Sequence, residues 1–253
     1  MAVRSDGIRI VPVHRVDELA APAHDAAPAA RPQLTYRGGP LLGEVEVFTV
    51  LRGDWWSSGD GAALAGEVNA FFDAILGSEL LDQLAEYGLP GTAIGHGTRT
   101  GTARVAEPAL GPVATDDELR RELQGLLAAG TVPPAGPNAL TFLYLPPNVA
   151  VSMGGGRSCS TFCGYHDAIG DTIFYAVMPY PGCAGCAGGL SLLDALTSTS
   201  SHELCEAITD PVPGTGWYDD VHGEIGDICA WQTKQVAGST VQLEWSNAQG
   251  ACV

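Results

Sequence analysis

The sequence is poor in charged side chains, and above all in basic ones. Only 16% of its 253 residues are charged, and 12 Lys and Arg stand against 29 Asp and Glu, for a formal net charge of -17. No basic cluster is present that could follow a phosphate backbone, so the composition argues against nucleic acid as a partner. No apolar run approaches the roughly 20 residues that cross a bilayer, so no membrane partner is predicted.

Cysteine is absent before position 159, and all seven cysteines follow it. That density is typical of extracellular chains with disulfides, whereas the N-terminus has no apolar core followed by a cleavage site, which favours the cytoplasm. Because seven is odd, one thiol is free in an oxidised monomer, and Cys205 is the candidate. The others are predicted to form disulfides or a structural zinc site: Cys159, Cys163, Cys183, Cys186, Cys229 and Cys252.

Two regions differ in composition. Residues 16–33 are rich in Ala and Pro and lack periodic apolar positions, so residues 1–33 are interpreted as a flexible arm or propeptide. Residues 34–253 are predicted to form a single zincin-like catalytic domain.

Apolar runs and amphipathic segments alternate along this domain, which predicts an α/β (α+β) fold. We expect a zincin-like mixed sheet with flanking helices, an active-site helix, and a C-terminal half stabilised by disulfides or metal. Strands are predicted over residues 44–53, 138–147, 171–180 and 239–246. Helices are predicted over residues 61–76, 78–88, 115–130 and 190–209, the third with a capping box from Thr115 to Glu118. The stretch GHGTRTG (95–101) is interpreted as a turn.

The stretch SSHELCEAITDP (200–211) resembles a zinc-binding helix. On a helix, His202 and Glu206 lie one turn apart on the same side and can chelate one ion, while Glu203 can activate the bound water as general base. This HExxE pattern replaces the second histidine of HExxH with glutamate. Zinc is the predicted cofactor, with calcium as the other candidate. The alternative is that these polar residues cover a solvated helix face.

Further ligands are available on either side of this helix. His166 precedes it in CGYH, and Glu224 follows it in GEIGDIC, so either can complete the metal site. Asp227 is interpreted as the group that orients His202 through its free ring nitrogen. Which of His166 and Glu224 joins the ion stays open.

The remaining catalytic roles are assigned to the neighbouring segments. Tyr218 or His222 is expected to stabilise an oxyanion, and the strand at 171–180 is interpreted as an edge to which an extended peptide substrate adds. The predicted partner is therefore a peptide or protein substrate.

Five motifs in this order, FCGYH, CAGCA, SHELCEAITDP, GWYDD and GEIGDIC, resemble the phosphate-induced, EXORDIUM-like proteins of plants and their bacterial relatives. The resemblance is dense from Arg157 to Trp231 and looser back to about Tyr36. This chain departs from it with Asp210, where plant relatives tend to have Asn, and with Cys205, where a small residue is usual. The matching positions are Cys163, Gly164, His166, Cys183, Cys186, His202, Glu203, Leu204, Glu206, Thr209, Pro211, Trp217, Tyr218, Glu224, Ile225, Asp227 and Cys229.

The resemblance implies an extracellular, disulfide-containing protein, and it supplies no reaction. Two functions follow from the sequence. The first is a zinc-dependent metallohydrolase, a peptidase, that uses the HExxE helix. The second is a non-catalytic extracellular EXORDIUM-like module, in which the acidic cluster binds a structural metal ion or only braces the fold.

Overall fold

A computed structural model of the chain describes residues 10–13 and 31–253, which form a mixed α/β fold with several sheets. The strands are β1 (Ile10–Pro12), β2 (Thr35–Tyr36), β3 (Glu46–Arg52), β4 (Thr98–Val105), β5 (Val113–Thr115), β6 (Ala139–Tyr144), β7 (Ala150–Met153), β8 (Gly156–Arg157), β9 (Phe162–Ile169), β10 (Ile173–Met178), β11 (Trp217–Tyr218), β12 (Thr233–Val236), β13 (Ser239–Gln242), β14 (Trp245–Ser246) and β15 (Ala251–Cys252). The helices are α1 (Gly59–Ile75), α2 (Glu79–Asp82), α3 (Asp116–Ala128), α4 (Ala184–Ala187) and α5 (Leu192–Thr209), with 3-10 turns at Asp54–Ser57, Gln83–Tyr87 and Asp227–Cys229.

The largest sheet is six-stranded, in the order β1-β9-β10-β6-β3-β4. Strands β4, β3, β6 and β10 are parallel, whereas β9 runs antiparallel to β10 and β1 antiparallel to β9. Strand β10 therefore lies inside the sheet with both edges paired. The prediction that it is an edge strand open to a peptide is wrong, because the backbone groups of β10 already bond to β6 and β9.

Helices cover both faces of this sheet. Helices α1 and α5 share one buried core with Phe142 and Met178, and α3 shares the other with Tyr175 and Val177. Successive side chains of a strand point to opposite faces, so β10 contributes to both cores. The same alternation in β9 directs His166 to α5 and its neighbour Tyr165 to α3.

Most of the elements predicted from the sequence are confirmed, including the Thr115 capping box. Two are corrected. The stretch 95–101 runs into strand β4 rather than forming only a turn, since residues from Thr98 pair with β3. The strand predicted over 239–246 is divided into β13 and β14, because the chain changes pairing partner between Gln242 and Trp245.

Part of the predicted N-terminal arm forms a strand of the large sheet. Ile10–Pro12 forms β1 and pairs with β9. Residues 1–9 and 14–30 lie outside the described residues, and the domain boundary near Leu34 stays a prediction.

Six cysteines are paired in disulfides, so the alternative of a cysteine zinc site is wrong. The bonds are Cys159–Cys183, Cys163–Cys186 and Cys229–Cys252. The predicted free thiol, Cys205, is free and buried in α5. Such a set of disulfides is typical of proteins outside the cytoplasm. Within residues 10–13 and 31–253, no helix has the length and apolar character that a membrane crossing requires.

Candidate metal centre

Helix α5, which carries the HExxE pattern, is a buried helix. It begins after Ser191, whose side chain accepts a hydrogen bond from the Asp194 backbone N–H at 3.2 Å. Every residue from Ala195 to Thr209 is buried, because the helix packs between the large sheet and β13. The alternative of a solvated helix face is therefore wrong, and the polar side chains of this helix point into the protein interior.

His202 and Glu206 meet one helical turn apart. The distance from His202 Nε2 to Glu206 Oε1 is 2.9 Å. Glu206 Oε1 accepts a hydrogen bond from the Asp227 backbone N–H at 3.1 Å. Ligand atoms of His202, Glu206 and Asp227 all lie within 4.8 Å of one another, which makes these three residues a candidate set for one ion.

Asp227 lies beside His202 and Glu206 in this set. Its predicted role in orienting His202 stays a prediction. The backbone of Gly226 packs against the His202 ring, since an added Cβ would lie 2.8 Å from Nδ1 and 2.9 Å from Cε1 and Cγ.

His166 of β9 approaches the same helix from the sheet. Its Nδ1 lies 3.1 Å from Glu203 Oε2 and 3.5 Å from Glu206 Oε2. Its Nε2 lies 3.1 Å from the carbonyl oxygen of Asp210. Because a carbonyl only accepts, Nε2 is the donor in this bond, which is the usual orientation of a metal-binding histidine. His166, Glu203 and Glu206 form a second candidate set, with ligand atoms within 4.8 Å of one another.

Glu224, the other predicted third ligand, is also brought to His166. Its Oε1 lies 3.5 Å from His166 Nε2, and both of its carboxylate oxygens are buried without a hydrogen-bond partner. Glu224 therefore approaches the ring through a different nitrogen from Glu203 and Glu206. Which of His166 and Glu224 joins an ion stays a prediction.

The predicted oxyanion groups lie in the segment after α5. Tyr218 belongs to β11, and the guanidinium of Arg37 lies 4.1 Å from the centre of its ring. His222 is partly exposed and its Nδ1 lies 2.9 Å from Asp219 Oδ1. A role of either residue in stabilising an oxyanion stays a prediction.

Two glycines let the backbone pack directly against functional side chains, because glycine has no Cβ. At Gly164, an added Cβ would lie 3.2 Å from Glu203 Oε1 and 2.8 Å from Thr199 Cγ2. At Gly226, an added Cβ would likewise lie 2.8 Å from His202 Nδ1. These are the glycines of CGYH and GEIGDIC, so the motifs contain the signal, but the sequence analysis gave neither glycine a role.

Glu244 is a buried acidic residue that the sequence analysis missed. Its side chain is 0% exposed and neither carboxylate oxygen has a hydrogen-bond partner. Burial raises the pKa of Glu244 well above its usual value, although the charge of nearby His202 opposes this. The stretch QLEWS gave no sign of this, because a glutamate in a short strand ordinarily faces solvent.

Burial and mutual proximity shift the proton affinities throughout the cluster. Burial raises the pKa of Glu203 and Glu224. For Glu206, burial acts in the same direction, but the neighbouring imidazoles outweigh it and lower the pKa to about 2. Burial disfavours the charged forms of His166 and His202, but the surrounding carboxylates raise the pKa of both well above its usual value. The cluster therefore attracts positive charge strongly.

The geometry fits a zinc ion. Two ligands bound at about 2.0–2.1 Å in a tetrahedral site stand about 3.3 Å from each other. Within the two candidate sets, His202 Nε2 lies 2.9 Å from Glu206 Oε1, and His166 Nδ1 lies 3.1 Å from Glu203 Oε2 and 3.5 Å from Glu206 Oε2. Imidazole nitrogen and carboxylate oxygen are both ordinary zinc ligands, so donor type and spacing agree.

No protein-family model matches the chain, and no curated protein matches it.

Proposed function

We propose that the protein is a zinc-dependent hydrolase with a zincin-like active site, and that its substrates are peptides. The observation that carries the proposal is the pair His202 Nε2 and Glu206 Oε1, which lie 2.9 Å apart on one buried turn of α5 with Asp227 beside them. Glu203 is adjacent in the sequence, as the base of a zinc helix is.

A bound zinc ion would supply a water molecule with a pKa of about 7 and would polarise a substrate carbonyl. His202, Glu206 and Asp227 are the residues that would hold the ion. Glu203 would accept the proton of the water, since its Oε1 is buried beside the site and has no hydrogen-bond partner. Burial raises the pKa of Glu203, which suits a group that takes up and returns a proton near neutral pH.

The chemistry of the donors favours a catalytic centre. Structural zinc sites are built mainly from cysteine thiolates, whereas six of the cysteines here bond to one another. A group of histidines and carboxylates with shifted pKa values is more typical of catalysis. The disulfides and the resemblance to EXORDIUM-like proteins support an extracellular location for this activity.

A second candidate is a closed metal centre in a non-catalytic extracellular module. It is favoured by burial, because His166, His202, Glu203, Glu206 and Glu224 are each 0% exposed. A catalytic zinc site keeps one position open to substrate, whereas a structural site is closed. A hydrolase with this cluster needs a conformational opening to admit a peptide.

Metal analysis and peptide cleavage separate these two functions. Purified full-length protein is analysed for zinc and incubated with a peptide library, beside Glu203→Gln and a matched control, Glu67→Gln, at an exposed position of α1. We expect wild type and Glu67→Gln to bind zinc and cleave peptides. Glu203→Gln should keep the zinc at His202, Glu206 and Asp227, a set that does not include Glu203, and lose cleavage by about 100-fold or more, the scale of general base catalysis.

Two results would contradict the hydrolase. Zinc with no cleavage of any peptide by the wild type would favour the closed centre. A wild-type protein that binds no zinc, and whose His202→Gln variant is only less stable, would leave a cluster that braces the fold.

A further inference from the structure

The two candidate ligand sets share one side chain, Glu206. Its Oε1 lies 2.9 Å from His202 Nε2, and its Oε2 lies 3.5 Å from His166 Nδ1. The two oxygens of this carboxylate thus face two different imidazoles, one on α5 itself and one on β9. A carboxylate with this arrangement can bind two ions at once, one through each oxygen.

We infer that the cluster binds two divalent metal ions bridged by the carboxylate of Glu206. His202 and Asp227 complete the first position, and His166 and Glu203 complete the second. The inference rests on the proposed metal site and adds a second ion to it. Pairs of metal ions about 3.5–4 Å apart occur in aminopeptidases and phosphatases, where both ions act on the scissile group.

The depth of the cluster supports bound metal. The side chains of His166, His202, Glu203, Glu206 and Glu224 are each 0% exposed. Carboxylates and imidazoles held this far from water need a cation or a hydrogen-bond partner at each buried oxygen and nitrogen.

The surroundings of His166 point to an ion at the second position. Its Nε2 is engaged by the Asp210 carbonyl oxygen, which leaves Nδ1 as the nitrogen that faces Glu203 and Glu206. In the neutral imidazole, Nδ1 is then an acceptor that faces other acceptors. Glu206 Oε2 is fully buried and has no hydrogen-bond partner. A cation between these atoms removes the conflict, and the competing explanation is a second proton on His166.

Metal stoichiometry tests the inference. Full-length protein is stripped with a chelator, loaded with zinc alone, desalted and analysed for zinc per chain. The same is done for His166→Gln, His202→Gln and the control His96→Gln, whose imidazole bonds to Asp82 at the surface. We expect about two ions in wild type and His96→Gln, and about one in each of the other variants.

A second measurement does not depend on the folding of any variant. X-ray absorption at the zinc edge of the wild type should show a zinc–zinc distance of about 3.5–4 Å. One zinc per chain, unchanged by His166→Gln and without that distance, would overturn the second ion and leave the hydrolase intact. Two ions without peptide cleavage would support the two-ion site and remove the hydrolase. No zinc at all would remove both.

Discussion

Two buried polar clusters lie on opposite faces of the same sheet, and they differ in how their charges are balanced. On the α3 face, Asp116 accepts hydrogen bonds from the hydroxyl groups of Tyr165 and Tyr175, both at 2.8 Å, and Arg120 bonds to Asp167 at 2.9 Å. On the α5 face, buried carboxylate oxygens of Glu203, Glu206 and Glu224 have no hydrogen-bond partner.

Three consecutive residues of β9 alternate between these two clusters. Tyr165 and Asp167 belong to the α3 face, and His166 belongs to the α5 face. The first cluster contains its own cation, Arg120, and its own donors, because burial raises the pKa of Tyr165 and Tyr175 so that both keep their protons. Complete polar networks are typical of structural roles, whereas a buried cluster without enough donors indicates a missing ligand.

Metal removal should act only on the cluster of the α5 face. It should lower the free energy of unfolding more than any of the substitutions below. If free zinc is about 1,000 times its dissociation constant, its loss lowers the free energy of unfolding by about 4 kcal/mol. The expected result is a lower thermal midpoint after chelation, measured by circular dichroism and restored by zinc. A midpoint that chelation leaves unchanged would remove the proposed difference between the two faces.

Removal of the disulfide beside the metal cluster should have the second-largest effect on stability. Cys163–Cys186 closes a segment with a sequence separation of 23 and anchors β9 next to Gly164. Replacing both cysteines by serine should lower the free energy of unfolding by about 3 kcal/mol through the greater freedom of the unfolded chain. Urea unfolding checks this with and without zinc. A loss that disappears after chelation would mean that the disulfide stabilises only the metal site.

The α3 cluster should respond to Asp116→Ala and not to metal. The variant leaves the buried Tyr165 hydroxyl without its acceptor and Tyr175 with only a long bond of 3.5 Å to Asp167, which should lower the free energy of unfolding by about 2 kcal/mol. The matched control is Asp117→Ala, an exposed neighbour in the same turn. Urea unfolding should give the same difference from wild type with and without zinc. A difference that depends on zinc would show that the two faces are coupled.

The smallest effect on stability should come from protonation of Glu118, at the start of α3, as the pH falls. Glu118 accepts hydrogen bonds from the N–H and hydroxyl groups of Thr115 at 2.8 and 2.9 Å, and these bonds lower the pKa of Glu118. The carboxylate therefore stabilises the fold above its unfolded pKa of about 4.3, and this contribution is lost as pH falls through the lowered folded value.

The comparison of wild type with Glu118→Gln checks this sign. The difference between their thermal midpoints should be constant above about pH 5 and should shrink at lower pH. The control Glu67→Gln, at an exposed position of α1, should show no such change. A difference that stays constant down to pH 2 would contradict the role of the capping carboxylate.

The sequence predicted the local parts of the site well. The spacing of His202, Glu203 and Glu206 placed them on one helix, and short motifs singled out His166 and Glu224 before their contacts were known. These predictions rest on residue spacing within short segments or on the resemblance to EXORDIUM-like proteins.

The rest depends on contacts between distant segments. The interior position of β10 follows from which strands pair, and hydrophobic pattern alone does not determine this order. Asp227 reaches Glu206 through a turn whose path the composition does not reveal, and the burial of Glu244 follows from how the C-terminal strands pack. The Asp116 cluster was missed because a residue at the start of a helix ordinarily faces solvent.

Crystals of the full-length protein grown with zinc test the central claim most directly, through an anomalous difference map at the zinc edge. We expect one peak among His202, Glu206 and Asp227, a second among His166, Glu203 and Glu206, and none near Asp116. An α5 face without a peak in crystals grown with zinc would contradict the metal centre.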